Sequence, residues 1–168
     1  YNIVKGEFMK NKGFTLIEML AVVLIIAMLV SVALPKYKRS VVRAEAMEAL
    51  TNLRTLQDAA LRAKAANTQR AAPLSLNELD IDLFDASNKN SSTFIFGRYR
   101  YIMTSTFIRV QKRTNANYAF IAYYPDLNGM GGEITCTGNT DTLWLCESMC
   151  REDSAGNCVK KQGQYIIN

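Results

Sequence analysis

The sequence contains no histidine among its 168 residues. A serine–histidine–aspartate triad or a cysteine–histidine pair needs an imidazole to move a proton, so both are excluded, together with most histidine-bearing metal sites. The four cysteines form no C-x-x-C half-site, which disfavours zinc binding. Residues 126–133 are rich in glycine but lack the full ligand series of a calcium loop, and we interpret them as a turn. We therefore expect no enzymatic activity, no cofactor and no metal.

Charged residues are nearly absent from one long segment near the amino terminus. Residues 14–34 carry a single charge, at Glu18. As an α-helix rising about 1.5 Å per residue, these 21 residues would span about 31 Å, which is the thickness of the hydrocarbon core of a bilayer. The segment is too long for the apolar part of a cleavable secretory signal, so the sequence predicts a membrane-spanning helix.

Glu18 is the charged residue within this apolar segment. A carboxylate at the centre of a bilayer costs about 2.5–3.5 kcal/mol and usually has a partner. We find no nearby partner in the sequence, but cleavage after Gly13 would create an α-amino group on Phe14 that could pair with Glu18 of a neighbouring copy. An equally weighted alternative is a carboxylate that reaches the headgroups from its position near the start of the span.

The sequence Lys12-Gly13-Phe14-Thr15-Leu16-Ile17-Glu18 resembles the class III signal of type IV pilins and of type II secretion pseudopilins. The resemblance is close over residues 12–39 and only architectural over the remainder. It implies cleavage after Gly13 by a prepilin peptidase at the cytoplasmic membrane face, N-methylation of Phe14, and a role for Glu18 when subunits dock into a helical filament.

The resemblance also implies how the chain is divided and where it acts. Residues 1–13 are the leader, residues 14–35 are the half-helix that crosses the membrane and later lies in the filament core, and residues 36–168 form a globular pilin domain. The precursor would lie in the bacterial inner membrane with its amino terminus in the cytoplasm, in contact with lipid, the peptidase and the pilus assembly machinery. It would then join an extracellular homo-oligomeric filament. Because residues 9–13 would be a complete leader, we interpret residues 1–8 either as an artefact of an upstream start or as added sequence that is not native.

Pro35 stands where the apolar segment ends, and we expect it to kink the helix because it removes a backbone donor. Residues 36–67 contain no glycine or proline. Their apolar residues recur at spacings of three and four, which predicts an amphipathic helix: Val42, Ala46, Ala49, Leu53, Leu56 and Ala60. Pilins have a similar layout, with a protruding hydrophobic half-helix and a second half packed on a sheet. The alternative is two separate helices joined by a turn at Pro35.

The pattern changes from helical to extended in the second half of the chain. Residues 69–92 are predicted to be a connector in which Ser75 caps a short helix over residues 76–79, with Glu78 at the capping-box position. Antiparallel strands are predicted at residues 93–103, 106–112 and 118–124, and a fourth at residues 133–137. A long helix followed by about four strands predicts an α+β fold.

Arginines alternate with tyrosines over residues 98–101, and further basic residues occur at 109–113. Basic residues interleaved with aromatic ones can hold phosphates and stack bases, which would indicate nucleic-acid binding. A strand with one solvated face explains the pattern more simply, with the arginines pointing outward and the tyrosines toward the helix. The formal net charge of +5 falls to +3 without residues 1–13, which adds little support for nucleic acid.

The four cysteines all lie in the last 33 residues: Cys136, Cys146, Cys150 and Cys158. Export would place them in an oxidising compartment, so we predict two disulfides. Three pairings are possible. If residues 141–151 are helical, Cys146 and Cys150 share one face, which favours Cys136–Cys150 together with Cys146–Cys158. In pilins a similar carboxy-terminal disulfide loop borders the sheet.

The sequence as a whole predicts a structural subunit of a type IV pilus. One alternative is a type II secretion pseudopilin, which the sequence hardly distinguishes from a pilin. The other is a membrane-anchored DNA-binding domain or minor pilin, for which the apolar helix would serve only as an anchor.

Overall fold

The computed structural model describes residues 13–66, 73, 75–82, 86–114, 116–125 and 131–167. The predicted leader up to Lys12 and most of the glycine-rich turn lie outside these residues. The chain forms two compact units, of which the first ends at Val42 and the second comprises Arg43–Asn168. The predicted domain boundaries remain predictions.

Helix α1 runs without interruption from Leu16 to Ala66 and contains Pro35. The alternative of two helices joined by a turn at Pro35 is therefore wrong. A kink at this position remains a prediction, as does the protruding arrangement of the apolar half-helix. The length of α1 agrees with its composition, because no glycine interrupts it and alanine, the best helix former, is abundant in its second half.

The part of α1 that follows Arg43 packs against a sheet through one face. Its buried residues are Ala46, Ala49, Leu50, Leu53, Leu56, Gln57, Ala59 and Ala60. The predicted stripe is thus confirmed except for Val42, which is only half-buried. Gln57 is the polar member of this face, and its Nε2 donates to the carbonyl oxygens of Tyr123 and Gly132, each at 2.9 Å.

The described residues after α1 form a seven-stranded antiparallel sheet in the order β1-β2-β3-β4-β5-β7-β6. The strands are β1 (Thr93–Phe96), β2 (Tyr99–Met103), β3 (Phe107–Lys112), β4 (Tyr118–Tyr123), β5 (Ile134–Gly138), β6 (Lys160–Lys161) and β7 (Gln164–Ile166). A short helix, α2 (Leu143–Glu147), follows β5, and a 3-10 helix (Leu76–Glu78) lies before β1. The predicted α+β class is confirmed, but the sheet has seven strands and not four.

The additional strands arise from two tight hairpins. Residues 93–103 form two strands because Gly97 adopts a φ of 57° in the turn between them, a conformation that glycine adopts without steric cost. Strands β6 and β7 are joined by Gln162 and Gly163, both at positive φ, as in the tight turns that match strand twist. With two and three residues, these strands are too short for an alternating pattern to reveal them.

A row of buried side chains crosses the sheet on the face that packs against α1. Cross-strand register aligns its members from β2 to β7: Tyr101, Val110, Phe120, Cys136 and Tyr165. Tyr99 lies on the same face and donates its hydroxyl to the Glu45 carbonyl of α1 at 2.7 Å. Arg100 is exposed on the opposite face, so the predicted alternation is confirmed for β2.

The structure corrects the disulfide pairing, because the bonds are Cys136–Cys146 and Cys150–Cys158. The preference for Cys136–Cys150 with Cys146–Cys158 was wrong because helix α2 ends at Glu147 and does not reach residue 151. Cys150 therefore lies beyond the helix, where it forms a β-bridge with Ile167, and does not share a helical face with Cys146. Each bonded pair has its Cα atoms 5.5 Å apart.

Ser75 stands at the N-cap position of the 3-10 helix, but its side chain does not cap the helix as predicted. Its hydroxyl hydrogen-bonds to the Glu78 carboxylate at 2.9 Å and makes no side-chain cap to a backbone N–H. The predicted short helix is present over Leu76–Glu78, but the reciprocal capping box is not.

Candidate functional site

The first half of α1 presents an apolar surface around its whole circumference. The large apolar side chains of residues 14–34 are all between 45% and 81% exposed. The most apolar stretch of this helix is not buried within the chain. A helix that is apolar on every side needs apolar surroundings, which a bilayer or other such helices can supply. By length and composition, α1 is able to cross a membrane.

Helix α1 begins with a reciprocal cap formed by Thr15 and Glu18. The backbone N–H and the hydroxyl of Thr15 each donate to Glu18 Oε2 at 2.8 Å, and the N–H of Glu18 donates to Thr15 Oγ1 at 3.3 Å. This is the capping-box arrangement, in which residues three apart satisfy backbone donors at the start of a helix. The carboxylate also lies at the helix end where the macrodipole favours negative charge.

The cap gives Glu18 a partner in its own chain, which the sequence analysis missed. The signal was available, because Thr15 and Glu18 have the capping-box residue types and spacing. Both donors of Thr15 use one carboxylate oxygen, Oε2, whereas Oε1 accepts no hydrogen bond from the described residues. Glu18 can therefore keep its cap and still accept a hydrogen bond from a second donor. The pairing with Phe14 of a neighbouring copy remains a prediction.

Gly13 and Phe14 precede the first helical residue and are exposed. No heavy atom lies within 4 Å of the place that a Cβ on Gly13 would occupy. The fold of the described residues therefore does not require glycine at this position. Phe14 is 81% exposed, the largest value among the exposed apolar side chains of the described residues.

The tyrosines that alternate with arginines over residues 98–101 are not available for stacking with bases. Tyr99 and Tyr101 are almost fully buried, and burial raises the pKa of Tyr101 to about 12. Arg98 and Lys112 both bind the Glu45 carboxylate, Lys112 Nζ at 2.8 Å from Oε2. These hydrogen bonds, with Lys112 first, and the nearby positive charges hold the pKa of Glu45 below its usual value. The ion pairs of Glu45 with Arg98 and Lys112 link α1 to the β1–β2 turn and to β3. These two basic residues therefore have a structural role.

The four cysteines form two bonds in the part of the chain from β5 onward, where Cys136 of β5 is joined to α2 and Cys150 is joined to the segment before β6. Glu147 of α2 accepts a hydrogen bond from the Tyr165 hydroxyl at 2.7 Å, which ties this region to β7. Within the described part of the chain, no three acidic or cysteine side chains converge as metal ligands.

Comparison with known proteins agrees with the geometry of the amino-terminal segment. Residues 8–34 match the family model of the prokaryotic N-terminal methylation motif. No curated protein and no solved structure matches the chain. The matched range contains Gly13, Phe14 and Glu18 and ends where the apolar surface of α1 ends. The chain therefore carries a prepilin signal of the kind found in type IV pilins, with its N-terminal methylation motif at residues 8–34.

Proposed function

We propose that the chain is the precursor of a structural subunit of a type IV pilus. It is cleaved after Gly13, N-methylated on Phe14 and polymerised through the apolar half of α1. The observation that carries this proposal is the presence, in the same residues, of the methylation motif and of a helix that is apolar on every side. Lipid surrounds this helix before assembly, and the corresponding helices of neighbouring subunits replace the lipid in the filament.

The local structure around Gly13 supports cleavage at that point. A peptidase needs access to an extended backbone, and residues 13–15 lie ahead of the first helical residue, Leu16. Gly13 has free space on all sides at its Cβ position, so its lack of a side chain is explained by the fit of an enzyme pocket and not by the fold. Prepilin peptidase is therefore the first partner of the precursor in this proposal.

The charge on Glu18 supports the assembly step. Cleavage creates a cationic amine on Phe14, and Oε1 of Glu18 is available to a donor from another copy. A charged group that lies among apolar helices without its counter-ion raises the free energy of the assembly strongly. The pair therefore favours the one register of neighbouring subunits in which both charges meet. Pairing of this kind would give the filament a defined axial step, which apolar contacts alone do not specify.

The proposal also assigns locations and a role. The precursor lies in the bacterial inner membrane with its amino terminus in the cytoplasm, and the pilus assembly machinery transfers it into an extracellular filament. The disulfides then form outside the cytoplasm, where such bonds persist. The role is structural and not catalytic.

Mechanical shearing of cells that express the full chain, followed by electron microscopy and mass spectrometry, tests the proposal. We expect filaments that contain the chain and begin at methylated Phe14. Gly13→Val is the matched variant, because the space at Gly13 leaves the fold unaffected, and it should leave full-length precursor in the membrane. Assembled protein that begins at Tyr1 or Met9 would contradict cleavage. Methylated protein that stays in the membrane without surface fibres would favour the pseudopilin alternative.

A further inference from the structure

The face of the sheet that points away from α1, here called the outer face, is positively charged. None of the residues in β1–β5 is acidic, whereas Arg100 of β2 and Arg109 of β3 lie on the outer face. In cross-strand register, Arg109 is flanked by Ile102 on β2 and by Ile121 on β4. Its charge is thus placed between apolar neighbours, on strands that carry no carboxylate.

Arg109 differs from the ion-paired arginines because no carboxylate of the described residues binds it. Arg62, Arg98 and Arg151 each form an ion pair, with Asp80, Glu45 and Glu133 respectively. Arg109 Nε is buried and makes no hydrogen bond to any described residue. A buried donor without an acceptor costs about 1–3 kcal/mol, and more when it is charged. Because Nε is buried, an acceptor from outside the chain can reach only the terminal nitrogens of this guanidinium.

Arg109 lines a cavity of about 280 Å³ on the outer face. Ala119 of β4 also lines it and lies between Gln111 and Thr137 in the cross-strand register. Because alanine has only a methyl group, it leaves a depression between the larger side chains of the neighbouring strands. The cavity is therefore a consequence of strand register and of one small residue at the centre of the sheet.

Neutral polar groups complete the lining of this cavity: Asn117, Thr137 and Asn139. The Asn117 carbonyl accepts from the Asn139 N–H at 2.9 Å and from the Thr142 hydroxyl at 2.6 Å. Asn139 Oδ1 in turn accepts from the backbone N–H of Thr142 at 3.1 Å, which orients the amide. Two of the polar residues are thus held in place before any ligand arrives, while the side-chain amide of Asn117 and the hydroxyl of Thr137 have no hydrogen-bond partner among the described residues.

We propose that this cavity binds a monosaccharide that carries a carboxylate, such as a uronic acid. A guanidinium group binds a carboxylate through two parallel hydrogen bonds, and the two terminal nitrogens of Arg109 can form such a fork. The amides and the hydroxyl match sugar hydroxyls, because each can both donate and accept. The cavity volume is just below the usual range for ligand pockets, which suits a single sugar ring. The lining contains one cation and two side-chain amides, which fits an acidic sugar better than a phosphate group.

Titration of the full chain, ¹⁵N-labelled and held in detergent micelles, with glucuronic acid tests this site by NMR. We expect saturable shifts at the amides of Ala119, Thr137 and Asn139. Glucose, which lacks the carboxylate, should bind about tenfold more weakly or not at all. Arg109→Gln should weaken glucuronate binding by about tenfold or more, since it removes the charge and the fork. Arg100→Gln is the matched control, because it removes a charge from the same face without touching the cavity, and it should bind as the parent does.

Three outcomes would overturn the proposal. Equal shifts from inorganic phosphate and glucuronate would indicate unspecific attraction of anions. Unchanged binding by Arg109→Gln would remove the guanidinium from the site. Shifts at the same amides that grow with protein concentration in the absence of sugar would assign the cavity to a carboxylate of a second copy. If Arg109→Gln does not fold, Arg109→Lys keeps the charge but not the fork, and parent-like affinity in that variant would equally contradict the proposal.

Discussion

Glu18 and Glu45 show how differently two carboxylates on one helix are used. Glu18 accepts hydrogen bonds from Thr15, three residues earlier, so its partner is local and is present as soon as the helix forms. Glu45 is bound by Arg98 and Lys112, which come from the sheet, so its partners exist only in the folded domain. The first carboxylate leaves an oxygen available to another molecule, and the second stabilises the fold.

Glu18→Gln should prevent filament assembly and leave processing unchanged. Glutamine also serves at this position of a capping box, so the start of α1 should persist while the charge that would pair with the Phe14 amine is lost. Surface filaments and processed monomer are measured in the same cells.

Thr15→Ala is the control for this experiment, because it removes the donors of the cap and keeps the charge of Glu18. It should fray the first turn of α1 and still yield filaments. Normal fibre yield from Glu18→Gln at parental subunit levels would disprove the charge-pairing mechanism without affecting the assignment of the prepilin signal.

Glu45 should make the stability of the folded domain depend on pH under acidic conditions. The pKa of Glu45 is lower in the folded state than its ordinary value of 4.5, chiefly because of the hydrogen bond from Lys112. The folded state therefore binds the proton less tightly than the unfolded chain does. The stabilisation is complete above the ordinary value and is lost as the pH falls through the lower folded value.

Glu45→Gln should thus lower the free energy of unfolding by about 1 kcal/mol at pH 7. It should not change this free energy at a pH below both the folded-state and the ordinary pKa of Glu45. Thermal unfolding of the parent and the variant across this range measures the difference. Glu48→Gln, an exposed carboxylate on the same helix, is the control. A difference between the parent and Glu45→Gln that is the same at pH 7 and in strong acid would show that the ion cluster contributes nothing.

At the scale of secondary-structure elements, α1 and the sheet are joined by a polar contact within an otherwise apolar interface. Gln57 lies among alanine and leucine side chains on the buried face of α1. Its amide nitrogen donates to the last residue of β4 and to Gly132, shortly before β5 begins. The Gln57 side chain therefore binds backbone carbonyls of two segments, the end of β4 and the residues before β5.

Gln57→Leu should lower the free energy of unfolding by about 2–4 kcal/mol. The substitution replaces the amide with an apolar side chain of similar size and leaves two carbonyl oxygens without their donor, each at about 1–3 kcal/mol. Chemical denaturation of the two proteins gives the difference. Thr55→Val, on the exposed side of the same helical turn, should change stability by less than about 0.5 kcal/mol. A loss of stability in Gln57→Leu no larger than that of the control would contradict this role.

At the scale of the whole molecule, patterns that extend over many residues were predictable from the sequence, and geometry that depends on one or two residues was not. The apolar segment, the amphipathic stripe from Ala46 to Ala60 and the alternation in β2 extend over many residues, so composition and spacing revealed them. The hairpin at Gly97 depends on a single φ angle, and the disulfide pairing depends on where α2 ends. Neither the φ angle of Gly97 nor the last residue of α2 is reflected in a periodic pattern of residue types.

The candidate sites follow the same division. Gly13, Phe14 and Glu18 are contiguous, so their motif is visible in the sequence, and even the cap by Thr15 was readable there. The cavity beside Arg109 combines residues from three strands, and Ala119 faces Thr137 only because β4 and β5 pair in one particular register. Such a pair can be recognised only when the register of the strands is known.

The two disulfides pair the cysteines in the order in which they occur in the chain, the first with the second and the third with the fourth. In the proposed export, the chain beyond α1 emerges from the membrane progressively, and each thiol meets its correct partner before any later one has appeared. Pairing by order of emergence gives the native bonds directly, so no wrong bond has to be exchanged. Cells that lack a disulfide isomerase should therefore oxidise this domain as well as normal cells do, as non-reducing peptide maps would show. Maturation of the protein outside the cytoplasm then depends on an oxidant alone.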